Sequence, residues 1–229
     1  MKNNTLKRED QFTTLMQNMK IKEPKLKKEL SKDTNYAIQN KEYTNTYFEE
    51  LPITKIKDVI FDGCTFKKID FSKIDLSDVA ITDCIFDSCD ISNKCFDKMF
   101  ITRCKFINTK MVGTSFIGAN LKDVKFISIK GDYLNFSNSR LNNILFEKTN
   151  LSYSYFSESQ MKSVYFDKTN LTNAMFYKVN HDNLDLSTST LNGIIIDSNF
   201  LKDITINMFQ AADLISFFGV KVKGEYGDS

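Results

Sequence analysis

The chain has 229 residues, with 31 Lys and Arg against 29 Asp and Glu, 20 Phe, no Trp, two Pro and a single histidine, His181. Charge that nearly cancels implies no strongly basic or acidic partner overall. One histidine excludes a multi-histidine metal site and argues against a histidine-based catalytic triad. The length suits one large domain or two small ones.

Residues 1–50 read as an N-terminal unit, mainly a helical arm or cap. They hold ten Lys and Arg against eight Asp and Glu, and they open without the apolar run of an export signal. Nowhere does the chain approach the roughly 18 apolar residues of a membrane helix, so no membrane partner and a cytoplasmic location are expected. Phe12, Leu15, Met16 and Met19 fall at helical spacing, and Pro24 interrupts the stretch after them. The spacing predicts a short helical arm over the first part of the next unit, with partial disorder as the alternative.

Residues 51–206 carry an internal repeat. In steps of five from Ile56 to Ile206 there are 31 positions, of which 29 are large and apolar; the exceptions are Gly131 and His181. Two residues before each lies a second series of small or β-branched residues, among them Val59, Cys64, Cys84, Cys104, Thr109, Ala119, Thr149 and Ala174. A helix of 3.6 residues per turn would scatter a period of five around its circumference. A straight strand would send alternate members to opposite faces. The chain must therefore turn once per repeat, with each large residue pointing to a shared interior and successive coils pairing at strand spacing.

The phenylalanines set the number of sides. Residues 20 apart sort into one column of Phe66, Phe86, Phe106, Phe126, Phe146 and Phe166, and a second of Phe96, Phe116, Phe136, Phe156 and Phe176. A three-sided coil would mix ring and aliphatic shapes in every column, so four repeats per coil are predicted, with two facing Phe ladders and two facing aliphatic ones. The stretch Ser115-Phe-Ile-Gly-Ala-Asn-Leu-Lys-Asp-Val-Lys-Phe126 resembles the A(D/N)LXX motif of pentapeptide-repeat proteins. The resemblance covers about residues 54 to 207. It implies an all-β solenoid, a right-handed four-sided (quadrilateral) β-helix, with helical caps at the N- and C-termini.

Local departures from the pattern carry their own expectations. Gly131 leaves a gap that a neighbour such as Leu134 fills, unless the coil bends there or a ligand pocket opens. Lys94 stands at a small inward position, where an unpaired charge is costly; a bulge that turns it out and Cys95 in is expected. His181 reads as a hydrogen-bonded core histidine or a loosened corner rather than a catalyst, and Asn199 as a hydrogen-bonded end. Cys64, Cys84 and Cys104 stack in one column, which reads as small hydrophobes in a ladder. With Cys89 and Cys95 they make five cysteines, expected as free thiols. No metal site is expected, because a single column lacks convergent ligands.

Residues 207–229 break the five-residue beat and predict a C-terminal helix followed by a short strand. Ala211, Leu214, Ile215 and Phe218 fall at helical spacing and Gly219 is a helix stop. This tail resembles the capping tails of Qnr- and MfpA-type quinolone-resistance proteins, which join two rods end to end. Met208, Phe209, Leu214, Ile215, Phe217 and Phe218 are therefore candidates for a cap or a homodimer contact.

Functionally the sequence shows no catalytic constellation, phosphate loop or dinucleotide fingerprint, and neither enzymatic activity nor a cofactor is expected. The first reading is a non-catalytic protein-interaction scaffold, as other solenoids provide. Its candidate patch is Tyr133 and Tyr153 on one outward edge, with Tyr155, Met175 and Ile195 on the next and Tyr177 beside them. The alternative implied by the resemblance is a mimic of duplex DNA that binds a type II topoisomerase such as gyrase, and modulates it or protects it from quinolones. Charge argues against it: residues 58–97 hold nine acids and four bases, but residues 98–140 hold eight bases and two acids. Only Asp70 and Asp90, stacked on one wall, look like a row of phosphates. Lysines of the basic block fall on several walls, so no direct nucleic-acid binding is expected.

Overall fold

The computed structural model describes residues 20–32, 39–51, 55–216 and 219–221. What bends the chain is a left-handed residue at each corner. Every fifth residue from Asp78 to Asn183 has φ between 33° and 68°. It lies two positions after the large residue that points inward, as Asn108 follows Phe106. Gly and Asn adopt this conformation at little cost, whereas other residues pay roughly 1–2 kcal/mol. Lys98, Arg103, Tyr133, Tyr153 and Lys178 all do so, so the interior must hold them there.

Through Asp167 the strands run in chain order as β1 (Ser31–Lys32), β2 (Gln39–Thr44), β3 (Thr46–Phe48), β4 (Lys55–Asp62), β5 (Thr65–Lys67), β6 (Asp75–Thr82), β7 (Ile85–Asp87), β8 (Phe100–Ile107), β9 (Asn120–Ile127), β10 (Arg140–Glu147) and β11 (Gln160–Asp167), and five two-residue strands follow up to Thr205. From β4 onward each pairs in parallel with the strand 20 residues on, as in Ile56↔Leu76, Ile101↔Leu121, Leu121↔Leu141 and Leu141↔Met161. Isolated bridges keep the same step on another wall, for example Asn135↔Tyr155 and Tyr155↔Met175. The result is a solenoid of about eight turns with four corners per 20-residue coil, as the period predicts.

Both Phe columns form as expected. Phe66, Phe86, Phe106, Phe126, Phe146 and Phe166 stack with ring centroids 4.7–5.2 Å apart. Phe96, Phe116, Phe136, Phe156 and Phe176 do so at 4.6–5.3 Å. The two columns meet edge to face across the core, Phe126 against Phe136 at 5.9 Å. Such offset and edge contacts suit the ring quadrupole. Phe48 extends one ladder below Phe66 at 5.0 Å, and Phe200 extends the other above Phe176 at 4.9 Å.

The small inward series does a second job. Its hydroxyls and thiols donate to carbonyls one coil below: Thr109 Oγ1 to Phe86 O at 3.1 Å, Thr149 Oγ1 to Phe126 O at 3.2 Å, Cys84 Sγ to Phe61 O at 3.4 Å. The five cysteines are free, as expected. Burial pushes the Cys89 and Cys104 thiols up to about 12, which keeps both protonated and unreactive near neutrality. Leu134 fills the place beside Gly131 and is fully buried.

The structure corrects four expectations. Residues 39–48 are not a helical arm: β2 and β3 add a coil below β4 and β5, with Tyr43↔Phe61 and Phe48↔Phe66. The offset there is 18 residues, so the five-residue beat is lost although the pairing persists. Residues 20–32 hold no helix and run as an extended strap, while Phe12, Leu15, Met16 and Met19 lie outside the described residues. Lys94 does not bulge out, because its ammonium donates to Ile74 O at 2.8 Å, and Cys95 stays exposed. Near the last coil the register slips by one: Asn199 is hydrogen-bonded as expected, its Oδ1 accepting from Lys202 Nζ at 3.2 Å, but it is exposed rather than inward, and Phe200, not Leu201, enters the core.

His181 is half-buried, with Nε2 3.0 Å from Phe200 O and its ring edge-on to Phe200. That places it as the hydrogen-bonded member of a loosened corner. Helix α1 (Met208–Ser216) comes next. Asn207 caps it, accepting from the amides of Phe209 and Gln210 at 3.0 Å. Gln210 Nε2 reaches the Leu186 and Ser189 carbonyls at 2.8 and 2.7 Å. Leu214 packs inward, so α1 covers the open edge of the last coils. Phe217, Phe218 and residues 222–229 lie outside the described residues, and the described residues 219–221 hold no strand.

Candidate functional site

The outward aromatic residues assemble where the sequence places them. Tyr133 and Tyr153 both sit at left-handed corners one coil apart, and their rings stack at 5.1 Å with 15° between planes. Tyr155, Met175 and Ile195 succeed one another on the next wall through Tyr155↔Met175 and Met175↔Ile195 pairing. Tyr177 stands two residues beyond Met175 with Lys178 Nζ 5.3 Å from its ring centroid. Tyr133, Tyr153, Tyr155, Tyr177 and Ile195 are each 40–51 % exposed, and Met175 is half-buried. These side chains form a ridge fixed by the coil itself, with no loop to order before contact.

A second surface was not foreseen from the sequence. The strap of residues 20–27 crosses the coils at the column of Asp83, Arg103, Asp123 and Asn143. The Lys22 amide donates to Asp123 Oδ1 at 3.2 Å, the Lys25 amide to Asp83 Oδ1 at 2.8 Å, and the Lys27 amide to Asn45 Oδ1 at 3.3 Å. Asn143 Nδ2 also donates to Asp123 Oδ1, at 3.0 Å. Between the two aspartates, Lys105 and Lys125 converge on the Glu23 carboxylate. Asp83 and Asp123 are buried beneath the strap. Two charges repeating in one column, Asp83 with Asp123 and Lys105 with Lys125, were the readable signal for this track.

The electrostatics come from these contacts. Burial pushes the Asp83 carboxyl up, but the Arg103 hydrogen bonds and the Lys25 amide outweigh it and hold it below the usual carboxylate range. Glu23 is likewise raised by burial and lowered further by Lys105 and Lys125, ending below its ordinary value. Asp167 differs: burial pushes it up, and its Oδ1 has no hydrogen-bond partner.

The two aspartates expected to imitate phosphates do stack. Asp70 and Asp90 pair across adjacent coils, yet Lys73 lies 3.1 Å from Asp70 and Lys110 3.0 Å from Asp90. The next residues in that column are Lys110 and Lys130. At the C-terminal end, Met208 and Phe209 are 80 % and 78 % exposed and Ile215 42 %. With Ala212 between, they line the outward side of α1, opposite Leu214.

Among the described residues no group of three or more His, Cys, Asp and Glu side chains could hold a metal ion. A groove of about 290 Å³ runs over Arg140, Asn142, Gln160, Lys162, Asn180 and Asp182, with Leu141 and Met161 also in its lining. No helix of the described residues is long and apolar enough to cross a membrane.

No curated protein matches this sequence. A family model described as a pentapeptide repeat region matches residues 79–156. Among solved structures, full-length QnrB1, a plasmid-mediated fluoroquinolone resistance protein, is 20 % identical, covering 78 % of this chain and 97 % of that one with a TM-score of 0.43. HetL, a pentapeptide repeat protein involved in heterocyst differentiation regulation from the cyanobacterium Nostoc sp. strain PCC 7120, is 16 % identical, covering 71 % and 84 % with a TM-score of 0.27. Rfr23 from the cyanobacterium Cyanothece 51142 is 13 % identical, covering 67 % and 92 % with a TM-score of 0.22. The matched residues 79–156 lie within a coil pattern whose 20-residue step continues on both sides, so this chain carries a pentapeptide repeat region.

Proposed function

We propose that this protein is a non-catalytic, cytoplasmic interaction scaffold whose partner is another protein. The observation that carries the reading is the ridge of Tyr133, Tyr153, Tyr155, Met175, Tyr177 and Ile195. Tyrosine and methionine are enriched at protein interfaces, and pre-ordered aromatic anchors dominate binding energy. A ridge built on a rigid solenoid loses little conformational freedom on binding. The test is retention of partners by immobilised protein from its own host, comparing wild type with Tyr155→Ala/Met175→Ala. Loss of a specific partner at unchanged melting temperature supports the reading. Identical retention by both proteins overturns it.

A homodimer through the C-terminal end belongs to the same proposal. The outward face of α1, with Met208, Phe209 and Ile215, is apolar on the side away from the core, and a helix apolar on more than one side wants a second surface. Sedimentation of wild type against Phe209→Lys decides between a dimer and a monomeric cap.

Duplex mimicry aimed at a type II topoisomerase is the second reading, carried only by the Asp70 and Asp90 pair. Lysines neutralise both aspartates, and the column continues as lysine, so this reading is the weaker one. A gyrase supercoiling assay with and without a fluoroquinolone separates it: neither inhibition nor protection would eliminate it.

A further inference from the structure

The strap and the column beneath it have the parts of a peptide-recognition site. Lys22 and Lys25 are three apart around Pro24, which spans about 9 Å in an extended polyproline II segment, where residues three apart face the same way. Their acceptors, Asp123 and Asp83, are two coils apart, about 10 Å at strand spacing. The column therefore accepts main-chain amides at the pitch of an extended peptide, whatever side chains that peptide carries. Selectivity comes from one further place. Lys105 and Lys125 pair directly across adjacent coils, and two like charges so placed repel. The Glu23 carboxylate between them relieves that repulsion.

The hold on the strap is mostly polar. Of residues 20–27 only Ile21 is buried; Pro24 and Leu26 are half-buried and the rest exposed. A segment held this way exchanges more readily than one anchored by a core of side chains.

We propose that the column of Asp83, Arg103 and Asp123, with Lys105 and Lys125, is a docking track for an extended segment of a partner protein carrying one glutamate, and that residues 20–27 fill it as a built-in competitor. The track and the tyrosine ridge are separate. Asp123 and Tyr133 are ten residues apart, half of a 20-residue coil, so the two surfaces face opposite ways around the rod. Arg103 keeps the track from being purely acidic, so the docked amides meet an alternating surface. A tethered strap competes at an effective concentration near millimolar, so a partner segment enters once the strap's own grip is weakened or its local concentration exceeds that value.

The experiment uses the full-length protein and a fluorescent synthetic peptide of this chain's residues 20–32, with a control peptide in which the glutamate corresponding to Glu23 is alanine and that corresponding to Glu29 is kept. Glu23→Lys in the protein breaks the internal grip without touching the rod. Lys25→Pro, which removes the amide that Asp83 accepts, is a second route to the same state. Both variants are expected to bind the glutamate peptide saturably and at least about tenfold more tightly than wild type does. The alanine peptide should bind about tenfold more weakly, the scale of one lost charge-assisted bond. Adding Lys105→Ala/Lys125→Ala should abolish that difference between peptides. Equal binding of the two peptides, or no saturable binding by either variant, overturns the proposal. So does hydrogen exchange of the Lys22 and Lys25 amides in wild type at the rate of the free peptide. Because the ridge variants leave the track intact, failure here is distinguishable from failure of the scaffold reading.

Discussion

Arg103 lies one coil above Asp83 and grips its carboxylate twice, Nε to Oδ1 at 2.6 Å and a terminal nitrogen to Oδ2 at 2.5 Å. Both residues occupy left-handed corners of one column, so the pair clamps two successive coils. The same Asp83 Oδ1 accepts the Lys25 amide, which ties the clamp to the strap. Asp83→Ala should cost about 1.5–3 kcal/mol, the range for hydrogen bonds to a charged group. The measurement is the denaturant midpoint, with hydrogen exchange at residues 20–27 read alongside. An unchanged midpoint together with unchanged strap exchange would contradict the clamp.

The strap should also answer to pH. Glu23 is held below its ordinary value by Lys105 and Lys125 against the push of burial, and Asp83 by Arg103 and the Lys25 amide. A carboxyl whose folded value is depressed contributes stability that is present above its unfolded value and lost as pH falls through the folded one. Docking of residues 20–27 is therefore expected to be full above about pH 4.3, the ordinary glutamate value, and to weaken below it. Amide chemical shifts of Lys22 and Lys25 tracked from pH 7 to pH 3 report this directly. Shifts that stay flat over the whole range would show that these carboxylates do not hold the strap.

Phe126 sits between Phe106 and Phe146 at 5.2 and 5.0 Å and meets Phe136 edge-on at 5.9 Å. Phe126→Ala opens a cavity in the middle of the rod, where neighbouring coils cannot collapse without breaking register. The expected cost is about 3–5 kcal/mol, read from the shift in denaturant midpoint. A loss under about 1 kcal/mol would mean the ladder relaxes far more freely than its pairing suggests.

At Gly131 an added Cβ would come within 2.6 Å of Leu134 Cδ1 and 3.1 Å of Asn150 O. Gly131→Ala should therefore destabilise by about 1–3 kcal/mol through overpacking. Leu134→Ala is itself costly, but combined with Gly131→Ala the double mutant should lose less than the sum of the two singles, since the nearer clash is gone. A double mutant no better than the sum of the singles would locate the strain at the Asn150 carbonyl instead.

Asp167 is 3 % exposed, its Oδ1 lacks a partner, and Glu147 pairs with it one coil below. Burial, reinforced by Glu147 and opposed by Lys168 and Lys148, pushes its carboxyl up. A raised folded value makes this residue more favourable at low pH, and that advantage is lost as pH rises through the raised value. Asp167→Asn should therefore raise stability by about 1 kcal/mol at pH 7, with the gain shrinking in acid. A variant less stable than wild type at pH 7 would refute the assignment.

The coil was readable because the large residues repeat every five positions and the rings every 20, and a period speaks for every coil at once. Tyr133, Tyr153 and Tyr155 were readable for the same reason. The left-handed corners were not singled out, since Lys, Arg, Tyr and Ser hold many of them and interior packing overrides their preference. The first coil escaped notice because two missing residues between Tyr43 and Phe61 break the beat. The strap escaped because its bonds use backbone amides of Lys22, Lys25 and Lys27, and an amide leaves no trace in residue identity. Phe200 displaced Leu201 because a ring extends the stack on Phe176 better than an aliphatic chain.

The pitch match between strap and coils gives the protein a means of gauging its own length. Excising 20 residues from between Asp83 and Asp123 would leave a rod with every interior column continuous and one storey shorter. The amides of Lys22 and Lys25 would then find one of their acceptors a full storey out of step. The rod is modular, the strap is not, and a lineage free to add or drop coils elsewhere would hold constant the number between those two carboxylates.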